Sequence, residues 1–419
     1  MCFGPLKRLC HWGPLTALGI IKIISFMMVH CSNMLLPPTA SFLGFLNMIT
    51  FLLCSGLTIY NFLSSMFEGP GYLPFKWLPE YAADEAFLQF CKICEGFKAP
   101  RSHHCRKCGR CVLKMDHHCP WINNCVGHAN HAHFTLFLFF SVCGCIQAAV
   151  IMSISLYRAF NKIWYSNYGY ENPVQFTVST LALTVFAIGL AIGVVLSVGA
   201  LFFFQIRAIL RNRTGIEDWI LAKAILRREP NEPTFVYPYN LGWKENFKQV
   251  FSFNFETVGD GITWPVVKGC NQYTLTIEQK EQKQEKRLRT RPYLVCKKYS
   301  GWWFPIIHGW RVCLSPPLSD EPRIPLNPSE TVNVTRWRKY WLFGEKVPDD
   351  PSAKRLRGWF PRCCVIEIGG YGDTNTGPKF HAGICGRPNS STATPSLFFC
   401  GVVDGSLTGA GGAVTASSK

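Results

Sequence analysis

The sequence predicts a polytopic α-helical membrane protein with four transmembrane helices. A cysteine-rich two-zinc domain lies between spans 2 and 3, and a small β unit lies near the C-terminus. Three observations carry this reading. Four apolar runs are each long enough to cross a hydrocarbon core, which takes about twenty residues. One window, Cys91 to Cys125, holds seven cysteines and four histidines. After about residue 290 the pattern changes to short β-type runs separated by turn residues.

The spans follow in order. Leu15 to Val29, extended toward Leu36, is the first, and it contains Lys22. An intramembrane lysine either faces protein or water, or snorkels to the interface; the second is expected here. Pro37-Pro38 makes the turn into Ala40 to Phe62. Glu68-Gly69-Pro70-Gly71 is a turn signal before a soluble insert over 72–133. Phe134 to Tyr157 is the third span, and Val174 to about Ile206, rich in Gly, Ala and Val, is the fourth. Ser141 and Gly144, small residues on the third span, either deepen a cavity among the helices or let helices pack closely.

Composition narrows the function classes. The chain has 419 residues and a formal charge of +17, but 48% are hydrophobic and 14% aromatic, which argues against nucleic acid. The mean hydropathy of +0.10 averages very apolar and very basic stretches. Basic flanks suit anionic lipid or a polyanionic substrate. Loop 31–39 has no Lys or Arg and the loop between spans three and four has only Arg158 and Lys162. The positive-inside rule therefore puts the zinc domain and both termini in the cytosol. A reducing compartment is also what a thiolate cluster needs.

Within the window, Cys91 and Cys94 form one C-x2-C pair and Cys105 and Cys108 another. Two thiolates at this spacing grip one tetrahedral ion. Two closed sites need eight donors, which six cysteines and two histidines supply, leaving Cys119 over. In Asp116-His117-His118-Cys119 that thiol stands near an imidazole and a carboxylate, the parts of an activated nucleophile. Spacing alone leaves a purely structural module equally open. A RING-type module would end on another C-x2-C, whereas this one ends Cys119-x5-Cys125.

The run from Cys91 to Phe134 resembles the cysteine-rich domain of the DHHC-type protein S-acyltransferases. The Asp116–Cys119 box, Pro120-Trp121-Ile122-Asn123-Asn124-Cys125, Asn130 and Phe134 carry the resemblance. It implies that Cys91, Cys94, His104 and Cys111 hold one zinc. Cys105, Cys108, His118 and Cys125 would hold the other. Cys119 then takes the acyl group from acyl-CoA (palmitoyl-CoA), His117 is its base and Asp116 orients His117. His103 is left as a surface or supporting residue. The implied acceptors are cysteines of membrane or membrane-associated proteins, with membrane lipids as surroundings and no nucleic acid.

Two departures from the family pattern stand out. Gly69 replaces the aspartate of an Asp-Pro-Gly turn, and Gly215 replaces the second Thr of a Thr-Thr-x-Glu element, removing a hydroxyl expected to reach the active site. Glu217 to Arg228 has amphipathic spacing that fits either a membrane-surface helix or a packing helix. Asn246 in Asn246–Phe251 resembles the structural asparagine of the family's C-terminal motif. Residues 278–291 read as a solvated helix or linker.

Arg338–Gly344 and Arg357-Gly358-Trp359-Phe360-Pro361 look like strands of a Src-homology-3 barrel, which resembles the endoplasmic-reticulum branch of the family. An accessory protein is expected through that domain, although Tyr293–Tyr299 lacks the acidic aromatic signature of peptide-binding barrels. Cys363-Cys364 are either acylated themselves or structural. The expected domains are 1–71, 72–133 (zinc), 134–206, 207–290, 291–367 (Src-homology-3-like) and 368–419, a Gly/Ser/Thr-rich tail read as disordered and without a dilysine retrieval signal.

Overall fold

The computed structural model describes residues 4–169, 174–252, 257–319, 321–348 and 356–368, so the expectations for the tail lie outside the described residues. Two compact units divide at Arg289 and Thr290.

The first unit is built on four apolar helices, α1 (Trp12–Leu35), α2 (Phe42–Phe67), α3 (His131–Phe160) and α5 (Val178–Leu210), each long and apolar enough to cross a membrane. The short α4 (Lys162–Asn167) follows α3. Polar caps set the helix ends, so α2 and α5 begin inside the apolar stretches read from sequence and run about a turn past their far ends. Ser41 caps α2 through Gly44 N–H, and Thr177 and Thr180 form a capping box at α5. α3 is central and packs against α1, α2 and α5. Met27, Met28 and Cys31 meet Ala148, Met152, Ala187 and Ala191 in the shared core. Between helices, Asn47 Nδ2 donates to Ser32 Oγ at 2.9 Å and Gln147 Nε2 donates to the Asn47 carbonyl at 2.8 Å. Such bonds are worth about 0.6 kcal/mol each in a membrane. Lys22 is exposed on α1, as snorkelling requires.

Gly144 is buried, and a Cβ there would meet Cys54 Cβ at 3.7 Å, an ordinary packing distance. Ser141 bonds back to its own helix, its Oγ donating to the Phe137 carbonyl at 2.6 Å. The apolar hollow of about 470 Å3 lies elsewhere, lined by Thr135, Phe139, Phe202, Ile206, Phe247 and Phe251 among others.

Between α2 and α3 come three short hairpins. They are β1 (Gln89–Cys91) with β2 (Gly96–Lys98), β3 (His103–Cys105) with β4 (Arg110–Val112), and β5 (His117–Cys119) with β6 (Asn124–Val126). After α5 lie α6 (Gly215–Leu226), α7 (Trp243–Lys248) and α8 (Thr274–Leu288). One face of α6 packs on protein, while Trp219, Ile225 and Leu226 are exposed. Its Glu217, Ile220, Leu221 and Ala224 are buried, and α8 packs on it with Glu278 paired to Arg227 and Arg228. Of the solvated helix and the linker expected over 278–291, the helix forms, with Glu278 its buried point of attachment.

The second unit is a five-stranded antiparallel sheet of β7 (Arg291–Val295), β8 (Thr331–Trp337), β9 (Trp341–Lys346), β10 (Arg357–Pro361) and β11 (Val365–Glu367), in the order β10-β9-β8-β7-β11. The short α9 (Trp310–Leu314) lies in the long connection from β7 to β8. Its core gathers Tyr299, Leu326, Val332, Trp341, Leu342, Trp359 and Phe360. Among the described residues no ladder joins β10 to β11, so the sheet is open where a closed barrel was expected. Cys364 is fully buried, with its Sγ 3.6 Å from His308 Nδ1, and Cys363 is half-buried. Those three side chains converge, one donor short of a closed tetrahedral set.

Trp341 is fully buried and its Nε1–H donates to the Val312 carbonyl at 3.0 Å. Trp341→Ala is expected to destabilise the second unit by about 3–5 kcal/mol. Hydrogen exchange across residues 291–367 would read this as lost protection in β8 and β9.

Candidate active site

The hairpins repeat. A 14-residue period relates Cys91, Cys105 and Cys119, and each opens a tight turn closed by pairing with the residue five positions on: Gly96, Arg110 and Asn124. Glu95, Gly109 and Asn123, again 14 residues apart, all take positive φ (53°, 69° and 45°). The second and third hairpins each set a histidine opposite a cysteine, His104 against Cys111 and His118 against Cys125.

This register gathers Cys91, Cys94, His104 and Cys111 into one group and Cys105, Cys108, His118 and Cys125 into another. In the first, Cys91, Cys94 and Cys111 Sγ lie 3.5, 3.4 and 3.9 Å from His104 Nδ1. In the second, Cys105, Cys108 and Cys125 Sγ lie 3.6, 3.4 and 3.6 Å from His118 Nδ1. Zinc bonds of about 2.3 Å to sulfur and 2.0–2.1 Å to nitrogen give tetrahedral edges of about 3.6 Å. Both groups therefore fit structural zinc, closed on all four sides. His103 belongs to neither and is half-buried beside Arg101 and Ser102.

Cys119 stands where the third repeat would begin another C-x2-C pair, but its partner position is Ile122, which is fully buried. The thiol is thus free of both groups. It packs among Phe62, Met66, Phe134 and Leu138, with Phe137, Val198 and Phe202 at the margin. On its other side is a polar pair. His117 Nδ1 and Asp116 Oδ2 are 2.8 Å apart, and the Cys119 thiol neighbours the imidazole. Burial works against charge on His117, but the bond to Asp116 and the neighbouring Cys119 raise it to about 10. Burial likewise opposes the Asp116 carboxylate, yet its bond to His117 takes it well below the usual range.

Asp116 is held from two further directions. Gly215 N–H donates to Oδ1 at 2.7 Å, and Gln205 Nε2 donates to Oδ2 at 3.0 Å while its Oε1 lies 2.9 Å from His131 Nε2. Position 215 thus contributes a backbone donor to Asp116 and no side-chain hydroxyl. Gln205 and His131 escaped the sequence reading, because nothing in a lone Gln at the end of an apolar helix marks it.

The Gly215 amide is aimed by a chain of buried bonds. Thr214 Oγ1 accepts from Glu217 N–H, and the Glu217 carboxylate accepts from Thr214 N–H in return. The same carboxylate takes a bidentate pair from Arg101, at 2.7 and 2.9 Å, and the Tyr237 hydroxyl at 2.7 Å. Burial pushes Glu217 up, but the Arg101 guanidinium outweighs it and keeps the carboxyl low. Arg101 also donates to Asn212 and lies under Tyr239 and Trp264 at 4.4 and 4.5 Å. Asn246 Nδ2 donates to the Leu210 carbonyl at 2.8 Å and thus caps α5.

A family model described as DHHC palmitoyltransferase matches residues 84–221. The Palmitoyltransferase ZDHHC6 of Mus musculus is 45% identical over 393 residues, 89% of this chain and 95% of that protein. Its Homo sapiens counterpart is 44% identical over the same shares. The Probable protein S-acyltransferase 16 of Arabidopsis thaliana is 31% identical over 223 residues, 50% of this chain and 74% of that protein. The chain belongs to the DHHC palmitoyltransferase family. It is a membrane protein with four apolar helices, and its activity is palmitoyl transfer to protein cysteines.

The zinc fit and the buried ion pair each yield an expectation for this palmitoyltransferase. His104→Ala and His118→Ala should each lower the zinc content from two per chain toward one by elemental analysis. Arg101→Leu leaves a buried carboxylate unpaired and should cost about 3–5 kcal/mol in chemical denaturation, whereas Arg101→Leu with Glu217→Leu should cost less.

Proposed function

We propose that Cys119 is the nucleophile, His117 its proton acceptor and Asp116 the group that orients His117. The supporting observation is a cysteine outside both four-donor groups, beside a histidine–aspartate pair and facing an apolar cluster between helix ends. The donor is a long-chain acyl-CoA. Cys119 attacks the thioester carbonyl, His117 takes the thiol proton, and the carbon–sulfur bond to CoA breaks as CoA leaves with that proton. The thiol of an acceptor protein then attacks the acyl-cysteine and regenerates Cys119. The acyl chain rests on Phe62, Phe134, Leu138 and Phe202, while the polar head meets the zinc-ordered module. Zinc holds the hairpins and takes no part in the steps, since each donor set is closed. The zinc ligands are the two groups named above.

The acceptors are cysteines of membrane or membrane-associated proteins. The site lies on the cytosolic face of the endoplasmic reticulum membrane, with both termini cytosolic, in keeping with the basic residues that flank the spans. The C-terminal sheet is assigned as Src-homology-3-like, supported by a strand order that sets the first and last strands side by side. It is the expected place for an accessory protein.

Incubation of the purified protein with palmitoyl-CoA tests the nucleophile. Wild type should give a hydroxylamine-sensitive adduct that is absent from Cys119→Ser and Cys119→Ala; an adduct surviving both would remove Cys119 from the role. Gln205→Leu withdraws one bond from a charged acceptor, worth about 1.5–3 kcal/mol. It should slow adduct formation about ten-fold or more at unchanged zinc content, read by single-turnover labelling.

A further inference from the structure

The C-terminal unit displays an apolar surface that its own core does not use. Between the buried Tyr299 and Val312 the chain reads SGWWFPIIHGWR. Trp302, Trp303, Phe304, Ile306, Ile307 and Trp310 are all exposed, Ile307 at 97%. The loop is fixed in this pose. The Tyr299 hydroxyl donates to the Trp302 carbonyl at 2.6 Å, Pro305 is buried, and Gly309 turns at a φ of 105°. Six large apolar side chains on one ordered loop make a patch that a soluble surface does not carry without a partner.

Two further facts select the partner. From Arg291 to Ser319 the sequence has no Asp or Glu, while Lys297, Lys298 and Arg311 are exposed around the loop. Tryptophans and aliphatic residues flanked by Lys and Arg are the composition that sits at a bilayer interface, with indoles at the headgroups and basic residues on anionic lipid. The same chain is anchored in the bilayer by four helices. A hydrophobic phase is therefore within tether reach of the loop at all times, at high effective concentration.

We propose that the loop 302–310 inserts into the interfacial region of the membrane, with Lys297, Lys298 and Arg311 on anionic headgroups. It is a fifth contact with the bilayer that does not span it. The palmitoyltransferase then has a C-terminal unit held on the surface where its acceptor proteins lie.

The test uses the full chain reconstituted in liposomes, with Ile307 replaced by a dansyl-bearing amino acid. Liposomes are phosphatidylcholine alone or with phosphatidylserine, carrying brominated acyl chains, and iodide is the aqueous quencher. Insertion predicts quenching by bromine, protection from iodide, and a larger effect with phosphatidylserine. Lys297→Gln, Lys298→Gln and Arg311→Gln should each weaken insertion about five-fold in the anionic liposomes. Quenching by iodide and not by bromine would place the loop in water and overturn the proposal. Quenching by neither would mean that protein covers the loop, which overturns it equally. The same label at Trp302 repeats the measurement, and bromine quenching at both positions is required.

Discussion

A buried ion pair governs the geometry around Asp116. Arg101 belongs to the zinc module and Glu217 to the first turn of α6, and both side chains are fully buried. Desolvating two charges is expensive, and the bidentate geometry with Asn212, Tyr237 and two stacked rings offsets it. The return is positional. The Glu217 carboxylate that binds Arg101 also completes the capping box with Thr214, which fixes the first turn of α6. That turn presents the Gly215 amide to Asp116. Through Asp116 the placement reaches His117, and through His117 it reaches Cys119. A glycine suffices at position 215 because the bond comes from backbone, and a side chain there would find only ordinary contact with Asp116 at 3.6 Å.

The 14-residue repeat accounts for the free thiol. Each hairpin supplies the first cysteine of a pair at the same turn position, and in the first two repeats the residue three further on is also cysteine, Cys94 and Cys108. In the third it is Ile122. The turn itself is retained, with Asn123 in the left-handed conformation that Glu95 and Gly109 adopt. Asn is a residue type that tolerates this conformation. The third hairpin keeps the backbone shape of a zinc knuckle while its first cysteine has no second thiol to share a metal with. His118 and Cys125 of the same hairpin remain on the second zinc group, so the thiol is held rigidly by a metal group it does not join.

Much of this was legible in the sequence, for identifiable reasons. The four spans announce themselves through continuous apolarity, and the donor count follows from covalent chemistry and spacing. The helix ends were less legible because caps such as Ser41 and Thr177 lie inside the apolar runs. The amphipathic spacing of α6 is shared by helices that lie on membranes and helices that pack on protein, and only the buried Glu217 separates the two. Gln205 reaches Asp116 across 89 residues of sequence, a distance over which no local pattern carries information. In the second unit, Gly-Trp-Phe-Pro marks a strand, but strand identity does not determine whether a sheet closes.

The zinc module is joined to the helical bundle by side chains that satisfy backbone groups at the end of α2. Asn124 Nδ2 and Arg8 both donate to the Met66 carbonyl, and Asn130 Nδ2 donates to the carbonyls of Ser65 and Cys125. The last carbonyls of a helix have no partners within it, and in a membrane protein water does not reliably supply them. Using them as the attachment points meets two demands at once. At α1 the approach is closer still, since a Cβ on Gly13 would fall 2.0 Å from the Pro120 carbonyl oxygen. Cys119, next to Pro120, is thereby brought to the level where the four helices end. Apolar side chains from these helix ends lie on one side of the thiol, and the buried Asp116 carboxylate with its half-buried imidazole partner lies on the other. The position of the thiol relative to the helix ends follows from how the hairpins are fastened to α1 and α2.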